Sequence, residues 1–237
     1  MKLSSRKAIV TGAGSGLGAA IATALTRQDV HVFGLGRTKK KLSAVQNTAE
    51  GPFTPVSIDI TDRAAVSGWV SETFFRDSAP DILVNNAGAG YFAQVDELAP
   101  EHWEEMVRTN LNGMFYLTRE IVPLMKQHSG STHIINVGSI LSTVGNPKQS
   151  GYCATKFGIA GFSEALFKEL RYDGIKVTCL NPGSIETDFF EESGIRPHDS
   201  MLQPADIANT VIHLLQTPDN FLVSDLTIRP LNPRRGD

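Results

Sequence analysis

A glycine-rich stretch near the N-terminus constrains the fold of this chain more than any other sequence feature. It reads Thr-Gly-Ala-Gly-Ser-Gly-Leu-Gly over residues 11–18, directly after the short apolar run Lys7–Thr11. A helical pattern through Ile21 and Leu25 follows. In the order strand, glycine turn and helix, such a stretch lets backbone N–H groups approach a phosphate at the helix N-terminus. The sequence therefore predicts a site for the pyrophosphate of a dinucleotide cofactor.

The end of the second predicted strand indicates which dinucleotide binds. Residues 30–35 form an apolar run, and Gly36 and Arg37 follow it. An enzyme that uses NAD typically carries an acidic residue here, which accepts hydrogen bonds from the ribose. A glycine leaves room for a 2′-phosphate and a guanidinium suits it by charge and geometry, so we favour NADP(H) over NAD. Thr38 either caps the next helix or touches the same phosphate, and the lysines at 39–41 fit a solvated helix face.

Apolar strand patterns alternate with helical patterns along the rest of the chain. Buried strands that alternate with helices predict an α/β fold with an open, doubly wound, mostly parallel sheet of seven strands and helices on both faces. The sequence shows no internal repeat and no low-complexity linker, so we expect a single domain over residues 1–237. The further strands are predicted at 53–58, 81–84, 133–137, 176–180 and 226–229, and the main helices at 61–75, 101–126, 152–171 and 204–215.

Several polar or small residues follow predicted strands or interrupt helical patterns. Asp59 follows the third strand, where it either contacts an adenine or closes a turn, and both alternatives stay open. The small residues at 85–88 let the backbone approach a ribose and a nicotinamide. Asn110 and Gly113 lie inside a helical pattern that both residue types weaken. They predict a local kink with a function.

Residues 139–156 point to acid–base chemistry. Ser139 lies just after the strand at 133–137, and Tyr152 begins a long helical pattern that includes Lys156. Four residues apart on a helix, Tyr152 and Lys156 share one face. A free tyrosine titrates near about 10, and an ammonium one turn away favours the phenolate and lowers that pKa. The stretch predicts a phenol that exchanges protons with a substrate oxygen held by the serine, although surface pairs with this spacing also occur by chance.

Composition and charge exclude several classes of function. A chain of 237 residues with a net charge of -3 gives no reason to expect nucleic acid or an anionic membrane as a partner. No apolar run is long enough to span a bilayer and no signal-peptide core precedes the first strand, so we expect a cytoplasmic protein. Two cysteines, Cys153 and Cys179, fit a reducing compartment, and we interpret Cys153 as a packing residue. The six histidines show no metal-ligand spacing, so no metal site is predicted.

The helical pattern at 152–171 is apolar around its whole circumference. One face of such a helix packs on the sheet, and a second apolar face needs another partner. We therefore expect a homo-oligomer, most simply arranged about a two-fold axis. The apolar residues concerned are Phe157, Ile159, Ala160, Phe162, Ala165, Leu166 and Phe167.

Together these motifs resemble the short-chain dehydrogenase/reductase family over nearly the whole chain. The family's cofactor motif, Thr-Gly-x-x-x-Gly-x-Gly, matches residues 11–18, and its Asn-Asn-Ala-Gly matches residues 85–88. Its Pro-Gly motif with a following threonine matches Pro182, Gly183 and Thr187. The resemblance implies a Rossmann-type fold and an oxidoreductase that uses NAD(P). The family's catalytic set falls on Asn110, Ser139, Tyr152 and Lys156.

The resemblance also implies a role for each catalytic residue. Tyr152 would be the general acid in carbonyl reduction and the base in alcohol oxidation, while Ser139 would hold the substrate oxygen. Lys156 would lower the pKa of the tyrosine and bond the nicotinamide ribose. Asn110 would fix a water molecule of the proton relay at the helix kink.

The predicted cofactor site draws on the loops that follow several strands. By resemblance, Ile185 and Thr187 would hold the nicotinamide carboxamide. The full set of predicted cofactor-binding residues is Gly12, Gly14, Ser15, Gly16, Leu17, Gly18, Arg37, Thr38, Asp59, Ile60, Asn86, Ala87, Gly88, Tyr152, Lys156, Pro182, Gly183, Ile185 and Thr187.

The predicted substrate pocket is apolar. We therefore hypothesise NADPH-dependent reduction of a ketone or aldehyde, with a 3-oxoacyl thioester as the first candidate. Two alternatives stay open, an alcohol dehydrogenase that works in the oxidative direction and a non-catalytic regulator that senses NADP. The tail at 230–237 departs from the family pattern, which leaves homodimer and homotetramer equally open. The pocket residues that we predict are Tyr91, Leu141, Val144, Phe189 and Phe190.

Overall fold

A parallel β-sheet forms the centre of the computed structural model, which describes residues 1–187, 189 and 200–231. Seven strands form within these residues, and each hydrogen-bonded pair of neighbours is parallel. The strands are β1 (Lys7–Thr11), β2 (His31–Gly36), β3 (Phe53–Ser57), β4 (Ile82–Asn85), β5 (Thr132–Val137), β6 (Ile175–Pro182) and β7 (Asp225–Ile228). Their order in the sheet is β3-β2-β1-β4-β5-β6-β7, which confirms the predicted doubly wound fold.

Helices connect the strands and cover both faces of the sheet. Short 3₁₀ turns at Arg76–Ser78, Ile140–Ser142 and Arg171–Asp173 complete the connections. The helices are α1 (Gly16–Thr26), α2 (Lys39–Thr48), α3 (Arg63–Thr73), α4 (Pro100–Val107), α5 (Met114–Lys126), α6 (Ser150–Leu170) and α7 (Pro204–Gln216).

Two apolar clusters, one on each face, hold the layers together. The first joins α1, α2 and α7 to the sheet and includes Ile21, Leu42 and Val211. The second joins α3, α5 and α6 to the other face and includes Leu117 and Ile121. Full burial of one such side chain stabilises the fold by about 1.5–3 kcal/mol, so both faces contribute strongly. Strands β4 and β5 are buried along their whole length, as expected for central strands of a parallel sheet that is covered on both faces.

The order of the strands creates a crevice at the carboxyl ends of the central strands β1 and β4. The chain runs outward from β1 to β2 and β3, then returns to place β4 on the other side of β1. The connections after β1 and β4 therefore leave in opposite directions. In open parallel sheets, ligands bind at this switch point, outside the carboxyl ends of the strands.

A π-helical turn joins α4 to α5 at Arg108–Gly113 and makes one continuous helix of the two. It contains Asn110 and Gly113, so the structure has an irregularity where the sequence predicts a kink. Such turns are rare and often lie at functional sites. Asn110 and Gly113 are both buried.

Element boundaries differ from the sequence prediction by only a few residues. Helix α6 begins at Ser150, two residues before the predicted start, so Tyr152 lies in its first turn. Strand β6 continues to Pro182. Thr38 occupies the N-cap position of α2, but its side chain makes no capping hydrogen bond.

Over the part of the chain that is described, no helix has the length and apolar character needed to cross a membrane.

Candidate active site

A cavity of about 550 Å³ lies at the carboxyl ends of the strands. It runs along the switch point between the loops that follow β1 and β4 and reaches the first turns of α6. Every residue that the sequence analysis predicts to bind the cofactor lines it, and so does Ser139. The predicted residues therefore share one site, although they are spread over most of the chain.

The glycine turn forms the floor of the cavity at the N-terminus of α1. Gly12 and Gly16 have φ angles of 67° and 52°, in the left-handed region that favours glycine. A Cβ atom on Gly18 would lie 2.2 Å from the carbonyl oxygen of Gly12, so only glycine fits there. Backbone N–H groups at a helix N-terminus attract anions. The turn therefore fits the pyrophosphate of a dinucleotide.

Thr11 fastens the glycine turn to the loop after β4. Its hydroxyl oxygen accepts hydrogen bonds from the backbone N–H groups of Asn86 and Ala87, both at 2.9 Å. The Asn86 side chain in turn donates to the backbone oxygen of Thr11 at 3.0 Å. These bonds fix the two loops that flank the switch point at a constant separation.

Cationic side chains gather at the end of the cavity next to β2. Arg37 and Lys41 line the cavity there, beside Gly36 and Thr38. The sequence interpretation of Lys41 as part of a solvated helix face was therefore incomplete. The Arg37 side chain is 71% exposed, and its Nη1 atom lies 3.9 Å from a carboxylate oxygen of Glu105. Two cations beside a glycine fit a 2′-phosphate better than a free ribose hydroxyl.

Asp59 and Ile60 line the same end of the cavity. The Asp59 carboxylate accepts a hydrogen bond from the backbone N–H of Thr61 at 2.9 Å, so it closes a turn. Of the two alternatives from the sequence, the structure thus shows the turn, and the contact with an adenine stays a prediction.

Lys156 and Tyr152 lie at the opposite end of the cavity. The Lys156 ammonium donates a hydrogen bond to the backbone oxygen of Val137 at 2.9 Å and lies 5.5 Å from the centroid of the Tyr152 ring. Both side chains are buried. Ser139 begins the 3₁₀ turn after β5, and its hydroxyl accepts a hydrogen bond from the Leu141 N–H at 3.1 Å. It also forms a hydrogen bond with the Tyr152 hydroxyl.

Burial dominates the ionisation of this pair. It raises the pKa of Tyr152 well above its usual value, and the hydrogen bond with Ser139 only partly opposes that effect. Burial also lowers the pKa of Lys156 to about 8. The four-residue spacing predicts that Lys156 lowers the pKa of the tyrosine. In the structure the opposite shift holds, because desolvation of a buried phenolate outweighs its favourable contacts.

Asn110 does not line the cavity but supports one of its walls. Its side-chain nitrogen donates to the Ala89 backbone oxygen and to the Thr155 hydroxyl, both at 2.9 Å. Its side-chain oxygen accepts from the Ala89 N–H at 2.7 Å. The amide therefore holds the loop that follows Gly88, and the bound water that the resemblance implies for Asn110 stays a prediction.

The remaining wall of the cavity follows β6. Pro182, Gly183 and Ile185 line it directly after the strand. Thr187 faces the glycine turn, because a Cβ atom on Gly16 would lie 3.2 Å from its methyl carbon. These four residues form the wall of the cavity that follows β6.

The predicted substrate residues have mixed outcomes. Leu141 and Phe189 line the cavity, and the Phe189 ring lies 5.9 Å from that of Tyr152. Tyr91 and Val144 are not among its lining residues, so the structure does not support these two predictions. Phe190 lies outside the described residues. Further lining residues lie in loops or in the π-helical turn, where no sequence periodicity marks the inward face; they are Phe92, Thr109, Asn146 and Gln149.

The spacing of the histidines along the chain predicts no metal site. Among residues 1–187, 189 and 200–231, no group of three or more histidine, cysteine or acidic side chains is arranged to hold a metal ion.

Comparison with known proteins identifies the family. A family model described as short chain dehydrogenase matches residues 6–197. The chain belongs to the short-chain dehydrogenase family. This short-chain oxidoreductase is 34% identical over 237 residues to an uncharacterised oxidoreductase of Staphylococcus saprophyticus, with 98% of this chain and 100% of the relative covered.

Solved structures resemble this short-chain oxidoreductase over almost its full length. A serine dehydrogenase complexed with NADP⁺ has a TM-score of 0.88 at 27% identity, covering 97% of this chain and 100% of the other. A 3-ketoacyl-(acyl-carrier-protein) reductase from Brucella melitensis complexed with NADH also has a TM-score of 0.88, at 28% identity, covering 97% and 98%. The Rossmann-type fold is thereby confirmed.

Proposed function

We propose that this short-chain oxidoreductase reduces a ketone or an aldehyde with NADPH and that Tyr152 is the general acid. One observation carries the proposal. Ser139, Tyr152 and Lys156 meet at one end of a single cavity, and the other end holds Arg37 beside Gly36. The first group suits proton transfer to a substrate oxygen, and the second suits a 2′-phosphate.

The cofactor part of the proposal depends on charge at the β2 end of the cavity. Arg37 and Lys41 would hold the 2′-phosphate, and the glycine turn would hold the pyrophosphate. Lys156 and Thr187 would contact the nicotinamide half. The similar serine dehydrogenase was solved with NADP⁺, which supports this choice, while the similar Brucella melitensis reductase was solved with NADH. When bound, NADPH supplies the hydride that adds to the carbonyl carbon.

Tyr152 completes the reduction by donating its phenolic proton to the carbonyl oxygen. Burial keeps the phenol protonated, which is the state that an acid needs before the reaction. Ser139 would donate a hydrogen bond to the same oxygen and hold it beside the phenol. The phenolate that remains would be stabilised by the Lys156 ammonium and then reprotonated from solvent. Asn110 would act as a positioning residue through the Ala89 loop.

The substrate class follows from the apolar lining near Tyr152. Phe92 packs edge-on against the Tyr152 ring with centroids 5.4 Å apart, and Leu141 and Phe189 lie on the same side of the cavity. An apolar carbonyl compound suits this lining better than a sugar. A 3-oxoacyl thioester is our first candidate, and the similarity to a 3-ketoacyl reductase supports it.

A second candidate function is alcohol oxidation by the same residues. The similar serine dehydrogenase favours that direction. Proton transfer by Tyr152 is reversible, so the site geometry serves both directions. A non-catalytic NADP sensor is a weaker alternative, because a sensor has no use for Ser139, Tyr152 and Lys156 together.

We also propose that the chain acts as one domain in a cytoplasmic homodimer or homotetramer. Two buried free cysteines suit a reducing compartment. Large aromatic side chains on α4, α5 and α6 are exposed and would be covered by a second copy. They are Trp103, Phe115 and Phe157.

The test combines cofactor binding with one tyrosine substitution. Tyr152→Phe should lower turnover of an apolar ketone with NADPH at least about a thousandfold, while the Kd for NADPH changes less than about threefold. Tyr172→Phe, at an exposed tyrosine, is the control and should leave both unchanged. Residual turnover near the wild-type value would refute the role of Tyr152. Tighter binding of NADH than NADPH to the wild type would refute the choice of cofactor.

A further inference from the structure

Glu105 is the acidic residue that meets Arg37. It lies on α4, whereas Arg37 follows β2, and 3.9 Å separates its Oε1 atom from the Nη1 atom of Arg37. Thr109, four residues further along the continuous helix, lines the cavity. The two residues are about one helical turn apart, so Glu105 lies close to the cavity wall. A carboxylate thus stands beside the end of the cavity where we place the 2′-phosphate.

Tyr91 restrains the Glu105 carboxylate. Its hydroxyl donates a hydrogen bond to the Oε2 atom of Glu105 at 2.7 Å. The Tyr91 ring in turn stacks on His102, with centroids 3.9 Å apart and planes only 3° from parallel. The Tyr91 backbone N–H also contacts the Met106 sulfur at 3.4 Å. These contacts fix the carboxylate near Arg37, whereas the neighbouring Glu104 is exposed.

The balance of charges decides what this carboxylate does. An ion pair with an arginine that is 71% exposed contributes little stability, so Arg37 gains little fixed orientation from it. A phosphate monoester carries about −1.5 to −2 charges, and repulsion from a fixed carboxylate acts over about 8 Å at physiological salt. Repulsion and competition for the guanidinium therefore outweigh any benefit of holding Arg37 in place.

We propose that Glu105, held by Tyr91, is a specificity-determining residue that limits the affinity for the 2′-phosphate of NADPH. The inference rests on the proposed NADP(H) function and adds a second determinant to Arg37. It assigns Glu105 the task of weakening cofactor binding, which speeds exchange of the spent cofactor for a new one.

The experiment is a fluorescence titration of NADPH and NADH against purified wild type, Glu105→Gln and Glu104→Gln. Glu105→Gln should bind NADPH about fivefold more tightly and change the Kd for NADH less than about twofold. Glu104→Gln removes the same charge from the same helix and should change both values less than about twofold. The gain in Glu105→Gln should shrink at about 0.5 M salt, because screening removes the repulsion.

Tyr91→Phe provides a second, independent variant. It keeps the Glu105 charge but removes the hydrogen bond that fixes it, so NADPH binding should tighten by about twofold. Weaker or unchanged NADPH binding in Glu105→Gln would overturn the proposal. Weaker binding would mean that Glu105 positions Arg37 for the phosphate, and unchanged binding would mean that Glu105 has no effect on the cofactor. If the wild type shows no preference for NADPH over NADH, the proposed choice of cofactor is refuted, independently of the results for the variants.

Discussion

His133 donates a hydrogen bond through Nε2 to the hydroxyl of Thr178 at 2.8 Å, inside the sheet between β5 and β6. The direction is fixed, because that hydroxyl already donates its own proton to the Val223 backbone oxygen at 2.7 Å. The Nδ1 atom of His133 is buried and has no partner within the described residues. Burial, together with the nearby Lys176 ammonium, lowers the pKa of His133 to about 3.

This histidine makes the protein sensitive to acid. In the unfolded chain it binds a proton near pH 6.5, whereas in the folded chain it stays neutral down to about pH 3. Stability is therefore lost as pH falls from about 6.5 toward 3, by about 2–3 kcal/mol on reaching about pH 4.5. His133→Leu should show a flatter fall in the free energy of unfolding, measured by urea titration. His213→Leu, at an exposed histidine, is the control. An equal dependence of the free energy of unfolding on pH in the wild type and both variants would contradict the prediction.

Lys156 lowers the stability of the fold at neutral pH. Its pKa is about 8 in the folded protein against 10.5 in the unfolded chain, so the buried ammonium costs about 3 kcal/mol below pH 8. That cost disappears as pH rises from about 8 to 10.5, and stability should rise over this window. Lys156→Met should be more stable than the wild type at pH 7 by about 1–3 kcal/mol, reduced by the contribution of the lost hydrogen bond to Val137. The variant should also lack turnover. Urea unfolding at pH 7 and about 9.5 measures the difference in the free energy of unfolding between variant and wild type, with Lys168→Met at an exposed lysine as the control. A Lys156→Met variant that is less stable than the wild type at both pH values would refute the prediction.

Arg37→Ala should weaken NADPH binding about 10- to 100-fold, because a charge-assisted pair with the phosphate is lost. The Kd for NADH should change less than about threefold. Lys41→Ala should give a smaller loss in the same direction, since Lys41 lines the cavity, while the exposed Lys40→Ala should have no effect. Equal losses for both dinucleotides in Arg37→Ala would show that the guanidinium serves the fold and not the 2′-phosphate.

Gly36→Asp should invert the preference between the two cofactors. A Cβ atom at this position would lie 3.5 Å from Leu42, an ordinary contact, so the fold accepts the side chain. The new carboxylate would accept hydrogen bonds from the ribose of NADH and repel a 2′-phosphate. The ratio of the two Kd values, with thermal unfolding as a check on folding, tests this expectation. A well-folded variant that still prefers NADPH would count against the assignment of this end of the cavity.

Phe157→Glu should reduce the size of the oligomer in sedimentation velocity. Phe157 is 46% exposed on α6, whereas Phe162 on the same helix packs against the cluster that joins α3, α5 and α6 to the sheet. A charge at Phe162 would therefore disturb the fold itself, which makes Phe157 the sharper probe. Phe221→Glu, at an exposed aromatic residue outside α4, α5 and α6, is the control. Sedimentation identical to the wild type in Phe157→Glu would argue against an interface on α6.

The sequence was informative wherever chemistry and local spacing coincide. The glycine turn, the Gly36–Arg37 pair and the four-residue step from Tyr152 to Lys156 all follow from short-range patterns, and the structure brings them to one cavity. The interruption at Asn110 was predicted for a similar reason, because the residue types there oppose a regular helix.

Other features depend on contacts between distant residues and leave no local pattern. Phe92 and not Tyr91 faces the cavity, since a loop has no period that separates inward from outward positions. The pairing of Glu105 with Arg37 joins two elements that are far apart in sequence. The raised pKa of Tyr152 results from burial, which the spacing to Lys156 does not reveal.

The π-helical turn also sets the orientation of everything that follows it on the same helix. Each residue of an α-helix advances the next side chain by about 100°, and the wider π turn takes in one more residue without that rotation. Within the turn Asn110 faces the Ala89 loop, and downstream Leu117 and Ile121 face the sheet. Regular α-helical winding over the same residues would turn the apolar stripe of α5 away from the core by about 100°. The irregular turn therefore lets one continuous helix present Asn110 to the Ala89 loop and its apolar stripe to the sheet.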